Sequence, residues 1–78
     1  MPHISIKMLK GRTEEQKQLA AETLAAALVE TIGCSPSHVS VSVEDFTPEE
    51  WQEQYKIEIT ENQQNLVIQP DYQPEDVL

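Results

Sequence analysis

Between His3 and Leu9 the apolar residues Ile4, Ile6 and Met8 alternate with Ser5 and Lys7, the two-residue period of a half-buried strand. Lys10-Gly11-Arg12 then reads as a turn, and Thr13 followed by Gln16 as a capping box that opens a helix, with Glu14 and Glu15 well placed in its first turn. Along that helix Leu24 and Leu28, supported by Ala20, Ala21, Ala27 and Ile32, recur at three- and four-residue intervals, while Glu14, Lys17, Gln18, Glu22 and Glu30 take polar positions. Gly33 is the natural stop, as a left-handed cap. After the connection Cys34-Ser35-Pro36-Ser37-His38, alternation returns: Val39, Val41 and Val43 against Ser40, Ser42 and Glu44 predict a second strand. Thr47-Pro48-Glu49-Glu50 repeats the helix-start signal, with Thr47 as N-cap and Glu50 closing the box, and places Trp51 and Tyr55 on one face. In residues 57–68 the alternation of Ile57 and Ile59 competes with the helix preference of Glu58, Glu61, Gln63 and Gln64, and a mainly helical segment is expected. Residues 69–78 form an acidic, proline-punctuated tail, expected to be solvated or docked on a partner rather than part of a site.

These elements define an α+β subunit, a β-α-β unit with a C-terminal helical extension, in one domain spanning residues 1–78. A β-α-β crossover normally sets its strands parallel and right-handed in one sheet, and the single helix covers one face of it. Two strands are too few to stand alone, and a chain of 78 residues is near the size at which one core is marginal. The sheet is therefore expected to be completed by oligomerisation, with a second subunit adding strands or packing across the open face.

Charge narrows the partners. Fourteen acidic against five basic residues give a formal net charge of −9, which repels nucleic-acid backbones and anionic membrane surfaces. No apolar run approaches the length of a membrane span, and no secretory leader is recognisable, so a soluble, cytoplasmic protein is expected. The lone cysteine, Cys34, and two distant histidines, His3 and His38, offer no metal-ligand spacing, and no metal or organic cofactor is expected. Four of the five basic residues, Lys7, Lys10, Arg12 and Lys17, fall in the first seventeen positions, a local cationic patch suited to a small anionic ligand or simply to a solvated surface.

The candidate chemistry sits in the same stretch. Initiator methionine is usually removed before a small residue, which would leave Pro2 with a secondary amine that can shuttle a proton if it is largely neutral near pH 7. Pro2 in second position is equally compatible with a processing signal alone. Arg12 carries a planar guanidinium able to hold a carboxylate through two parallel hydrogen bonds. Apolar burial and a nearby cation both disfavour the protonated amine, and Trp51 could supply the first while Lys7, Lys10 or Arg12 supplies the second.

Pro2, the short strand and the run Gly11-Arg12-Thr13-Glu14-Glu15-Gln16-Lys17 together resemble the 4-oxalocrotonate tautomerase family over roughly residues 2 to 45, and Pro48-Glu49-Glu50-Trp51 resembles its dimeric PptA-type branch. The resemblance implies a tautomerase-like fold and a cofactor-independent keto-enol tautomerase, an isomerase acting on a small 2-oxo or enol carboxylic acid. It implies Pro2 as general base and acid, Arg12, Ser40 and Trp51 as substrate-binding residues, and a homo-oligomer, dimer rather than hexamer. The family usually carries a second arginine in the second strand where Ser40 stands here, which argues against a dicarboxylate and for a monocarboxylate enol such as phenylenolpyruvate. A related proline-dependent decarboxylase or dehalogenase is the alternative within the family. A catalytically silent small-ligand-binding or assembly protein is the alternative outside catalysis.

Overall fold

The computed structural model describes residues 1–78. Two strands, β1 (His3–Leu9) and β2 (Ser40–Phe46), flank the helix α1 (Glu14–Ile32), and a second helix, α2 (Pro48–Glu58), follows β2. Three 3-10 turns complete the chain, Pro36–His38 before β2, Thr60–Asn65 after α2, and Pro74–Val77 near the C-terminus.

Both helices start where their side chains can satisfy the free N–H groups of a first turn. Thr13 Oγ1 accepts from the Gln16 amide at 3.1 Å while the Thr13 amide donates to Gln16 Oε1 at 2.9 Å. Thr47 and Glu50 repeat the exchange at 3.1 and 2.8 Å. The Thr47 backbone amide, and then its side chain, hold the Glu50 carboxyl below its ordinary range. At the other end of α1, Gly33 adopts φ 74° and its amide closes on the Val29 carbonyl. Only a residue without a Cβ takes that backbone without strain.

The strands pair in parallel, in register from His3 opposite Ser40 to Leu9 opposite Phe46. The two-residue period therefore sorts the sheet into two faces. Ile4, Ile6, Met8, Val41 and Val43 share one face with Asp45, whose carboxylate meets Lys17 of α1 at 2.8 Å. Hydrogen bonding to Asp45, then to Glu14, raises the Lys17 pKa above its ordinary value. The other face is polar at the start, with His3, Ser5, Lys7, Ser40, Ser42 and Glu44, and becomes apolar at Leu9 and Phe46, where α2 crosses it.

Not one of the 78 residues is buried in the lone subunit. The radius of gyration is 14.0 Å, against about 11.5 Å for a compact chain of this length, and the shape is a slab of 39 × 32 × 18 Å. Helix α1 lies chiefly over β2, so the apolar side chains of β1 stay half-exposed, and the outer edge of β1 has no strand beside it. Leu19, Leu24 and Ile32 on α1 remain 64%, 46% and 57% exposed. Oligomerisation is thus a requirement of this fold, as the open two-stranded sheet implies.

One expectation needs refinement and one correction. Residues 57–68 are mainly helical, but not as one α-helix: α2 ends at Glu58, and the segment continues as the 3-10 helix Thr60–Asn65, kinked at Asn62 (φ −120°, ψ 24°). Side chains take over the carbonyls that further helical amides would have used, Asn62 Nδ2 donating to Glu58 O at 3.1 Å and Gln63 Nε2 to Ile59 O at 2.9 Å. The acidic tail is docked on its own chain rather than solvated: Gln52 Nε2 donates to the Pro74 carbonyl at 2.7 Å, and the Tyr55 and Tyr72 rings meet edge to face at 5.5 Å.

Candidate active site

The four residues singled out from sequence separate into two groups at opposite ends of the sheet. Pro2 and Ser40 lie together at the start, where the Ser40 amide donates to the Pro2 carbonyl at 3.3 Å. His3, paired with Ser40 in the register, shares a 2.6 Å hydrogen bond between Nδ1 and Ser40 Oγ and a longer one, 3.4 Å, between Nε2 and Ser42 Oγ. The Ser40 hydroxyl is thus engaged by an imidazole, a neighbour that the alternation of His3 and Ser40 on the same sheet face could have revealed.

Arg12 and Trp51 share the far end, on the rim of a cavity of about 270 Å³. Its apolar wall is Met8, Leu9, Trp51, Tyr72 and Val77, and its cations are Arg12 and Lys7. The sequence places these groups by short-range means. Gly11, at φ 131°, permits the turn that carries Arg12 off the end of β1, and the capping box at Thr47 sets the first turn of α2 so that Trp51 comes over Phe46, ring centroids 6.3 Å apart. The indole N–H of Trp51 donates to Tyr72 Oη at 2.8 Å, which brings the tail into the cavity wall.

The two cations of the cavity differ in kind. Lys7 is drawn to Glu44 at 3.2 Å and Glu58 at 3.8 Å. Arg12 is exposed and forms no ion pair within the subunit, although acidic residues outnumber basic ones fourteen to five. An unpaired guanidinium beside an aromatic wall is equipped to take a carboxylate from outside the chain. A larger concavity, about 420 Å³ between α1 and the Pro36–His38 turn, has Glu22 as its one ionisable group and offers neither a cation nor a base.

Within one subunit the two groups do not meet. The seven residues of β1, at about 3.3 Å each, separate Pro2 from Arg12 by roughly 20 Å. Tyr72 and Val77 lie outside the residues singled out from sequence, and the usable signal, for Tyr72 alone, is an aromatic residue standing in an otherwise acidic tail.

The tautomerase family model, described as tautomerase enzyme, matches residues 2–56. A probable tautomerase of Xylella fastidiosa is 38% identical over 73 residues, covering 92% of this chain and 89% of its own. Tautomerase PptA of Escherichia coli O127:H6 is 30% identical over 73 residues, covering 92% of this chain and 97% of its own. Among solved structures, that of TomN, a 4-oxalocrotonate tautomerase homologue in the tomaymycin biosynthetic pathway, superposes with a TM-score of 0.62 at 38% identity, over 64% of this chain and 77% of that one. With its parallel β-α-β unit, open sheet and agreement in sequence along nearly its whole length, the chain belongs to the 4-oxalocrotonate tautomerase family and is a tautomerase, an enzyme of the isomerase class.

Proposed function

We propose that this tautomerase is a cytoplasmic homodimer that interconverts the enol and keto forms of a small 2-oxo monocarboxylic acid such as phenylenolpyruvate, with Pro2 as the proton shuttle. The observation that carries the reading is the cavity at the end of β1, where one unpaired guanidinium, Arg12, adjoins a wall of Trp51, Tyr72, Leu9 and Val77. A molecule with one carboxylate and one aromatic or aliphatic arm matches that division. A dicarboxylate would need a second free cation, and Lys7 is already shared between two glutamates.

The proton shuttle comes from a second copy. The outer edge of β1 is unpaired, and two copies of one strand related by a two-fold axis pair antiparallel with each contact occurring twice. Centred near Ile6, such a pairing lays Pro2 of each chain opposite the Lys10–Arg12 turn of its partner and covers the half-exposed Ile4 and Ile6. The whole chain, tail included, then serves as one working unit.

In this arrangement Arg12 orients the carboxylate, and its charge together with the apolar wall disfavours the protonated proline, which lowers the amine pKa toward neutrality. Neutral Pro2 takes the enol hydroxyl proton as the C2–O bond becomes a carbonyl, and returns a proton to C3, leaving the enzyme unchanged. Ser40, beside Pro2 and hydrogen-bonded to His3, contributes a neutral hydroxyl to the same pocket.

The test is ketonisation of phenylenolpyruvate by protein whose intact mass confirms loss of Met1, beside an equally processed Pro2→Ala variant. Catalysis above buffer that collapses in the variant is the expected result. Equal rates in both remove Pro2 from the reaction. Protein that retains Met1 is a further control, because Pro2 is then an amide without a basic lone pair and should be inactive.

A further inference from the structure

We infer that Tyr72, in the C-terminal tail, is a substrate-binding residue whose hydroxyl donates a hydrogen bond to the carboxylate held by Arg12. This rests on Arg12 being the carboxylate anchor of the proposed tautomerase site.

Tyr72 is fixed more firmly than a tail residue has reason to be. Its hydroxyl oxygen accepts the Trp51 indole N–H at 2.8 Å, its ring meets the Tyr55 ring at 5.5 Å, and its carbonyl accepts the Tyr55 hydroxyl at 3.3 Å. Val77 of the same tail joins it in the cavity wall with Arg12 and Lys7.

The decisive point is the use of the phenol. A tyrosine hydroxyl has one proton to give and lone pairs to receive. Trp51 can only donate, so it occupies the acceptor side of Tyr72 and leaves the proton unspent. No backbone carbonyl, carboxylate or amide oxygen of the subunit accepts that proton, although Tyr72 is half-buried. With no acceptor in the subunit, that proton is free for water or for a ligand oxygen that displaces the water. Tyr72 lines a cavity whose other polar residues, Lys7 and Arg12, are cationic, so the acceptor that suits its hydroxyl is an anion. A carboxylate has two oxygens and can accept from a guanidinium and a phenol at once.

The tail thereby becomes a determinant of substrate class. Trp51 holds Tyr72 in place, and Tyr72 adds a directional donor to the point of attachment that Arg12 supplies. The apolar arm of the acid lies against the aromatic faces on either side.

The experiment measures binding rather than turnover, so it does not depend on the role of Pro2. The dissociation constant of 3-phenylpropionate is obtained from the fluorescence of Trp51, the one tryptophan of the chain, for the wild type, Tyr72→Phe and Arg12→Ala. The uncharged 3-phenylpropanol is run in parallel. Loss of one hydrogen bond to a charged group should weaken binding of the acid by Tyr72→Phe about ten- to a hundredfold, with the alcohol unchanged. Unchanged affinity for the acid in Tyr72→Phe, with weakened binding in Arg12→Ala, overturns the assignment of Tyr72 and leaves Arg12 standing. Equal weakening of acid and alcohol in Tyr72→Phe makes its role one of packing and also overturns it. Undiminished binding of the acid by Arg12→Ala removes the anchor role of Arg12 itself, and the carboxylate contact of Tyr72 with it.

Discussion

Mixing Pro2→Ala subunits with Arg12→Ala subunits should restore activity that neither possesses alone. Proton transfer requires donor and acceptor within about 3 Å, directly or through one water. The length of β1 holds Pro2 and Arg12 of the same chain roughly 20 Å apart. No arginine side chain spans that difference, so a site that uses both residues, as proposed, draws them from different chains. Alone, each variant is defective at every site, by about two to four orders of magnitude for loss of the base and two to three for loss of the charged donor. In a mixed assembly, a site is intact when its Pro2 comes from an Arg12→Ala chain and its Arg12 from a Pro2→Ala chain. Random assortment of equal amounts makes each condition one-half, so about one quarter of the sites, and about a quarter of wild-type activity, should return. The assay is phenylenolpyruvate ketonisation after the two variants are unfolded together and refolded, against the same variants refolded separately and then combined. If subunit exchange is proved by mass and the mixture still shows no more than the sum of its parts, the two-chain site is refuted.

Other consequences are testable by stability. Because Glu50 has its pKa lowered by Thr47, the contribution of its ionised form is present above the ordinary value of 4.5 and lost as pH falls through the lowered one. The stability gap between wild type and Glu50→Ala in urea titrations should therefore be full at neutral pH and shrink below 4.5. Lys17 shows the opposite sign: its pKa is raised, so its contribution is complete below 10.5 and is lost as pH rises through the raised value. Lys17→Met should lower the melting temperature at neutral pH by stranding Asp45, whose Oδ1 already lacks a partner, and the further change Asp45→Leu should recover much of the loss. Gly33→Ala meets nothing within 4 Å, so its cost is that of the φ 74° backbone alone, about 1 kcal/mol, read as a lower midpoint in thermal or urea melts.

Those parts of the fold that rest on neighbours along the chain are legible in the sequence. The alternation through Ile4, Ile6 and Met8, the boxes at Thr13 and Thr47, and the stop at Gly33 are decided within a few residues, and each stands where the pattern places it. The segment after Glu58 misleads in the kind of helix it forms, because the propensity of Glu61, Gln63 and Gln64 speaks for an α-helix, whereas the side chains of Asn62 and Gln63 compete for its carbonyls and a 3-10 helix results. The tail misleads for a different reason. Its acidic composition speaks for solvation, but hydrogen bonds from Trp51, Gln52 and Tyr55, seventeen to twenty-two residues away, and the ring contact of Tyr72 with Tyr55 decide its position. The candidate site is half legible: Arg12 and Trp51 do share a cavity, while the distance from Pro2 follows from strand length, which a motif read as a single stretch conceals.

A chain with no interior of its own has no folded state to reach by itself. Its last folding step must be an encounter with other copies, so the rate of acquiring structure rises more steeply than in proportion to the chain concentration, and dilution slows it. Newly made copies are then best served by being made close together, as from one messenger carrying several ribosomes. A slow supply of single chains would leave each exposed to proteases for the time it takes to meet another.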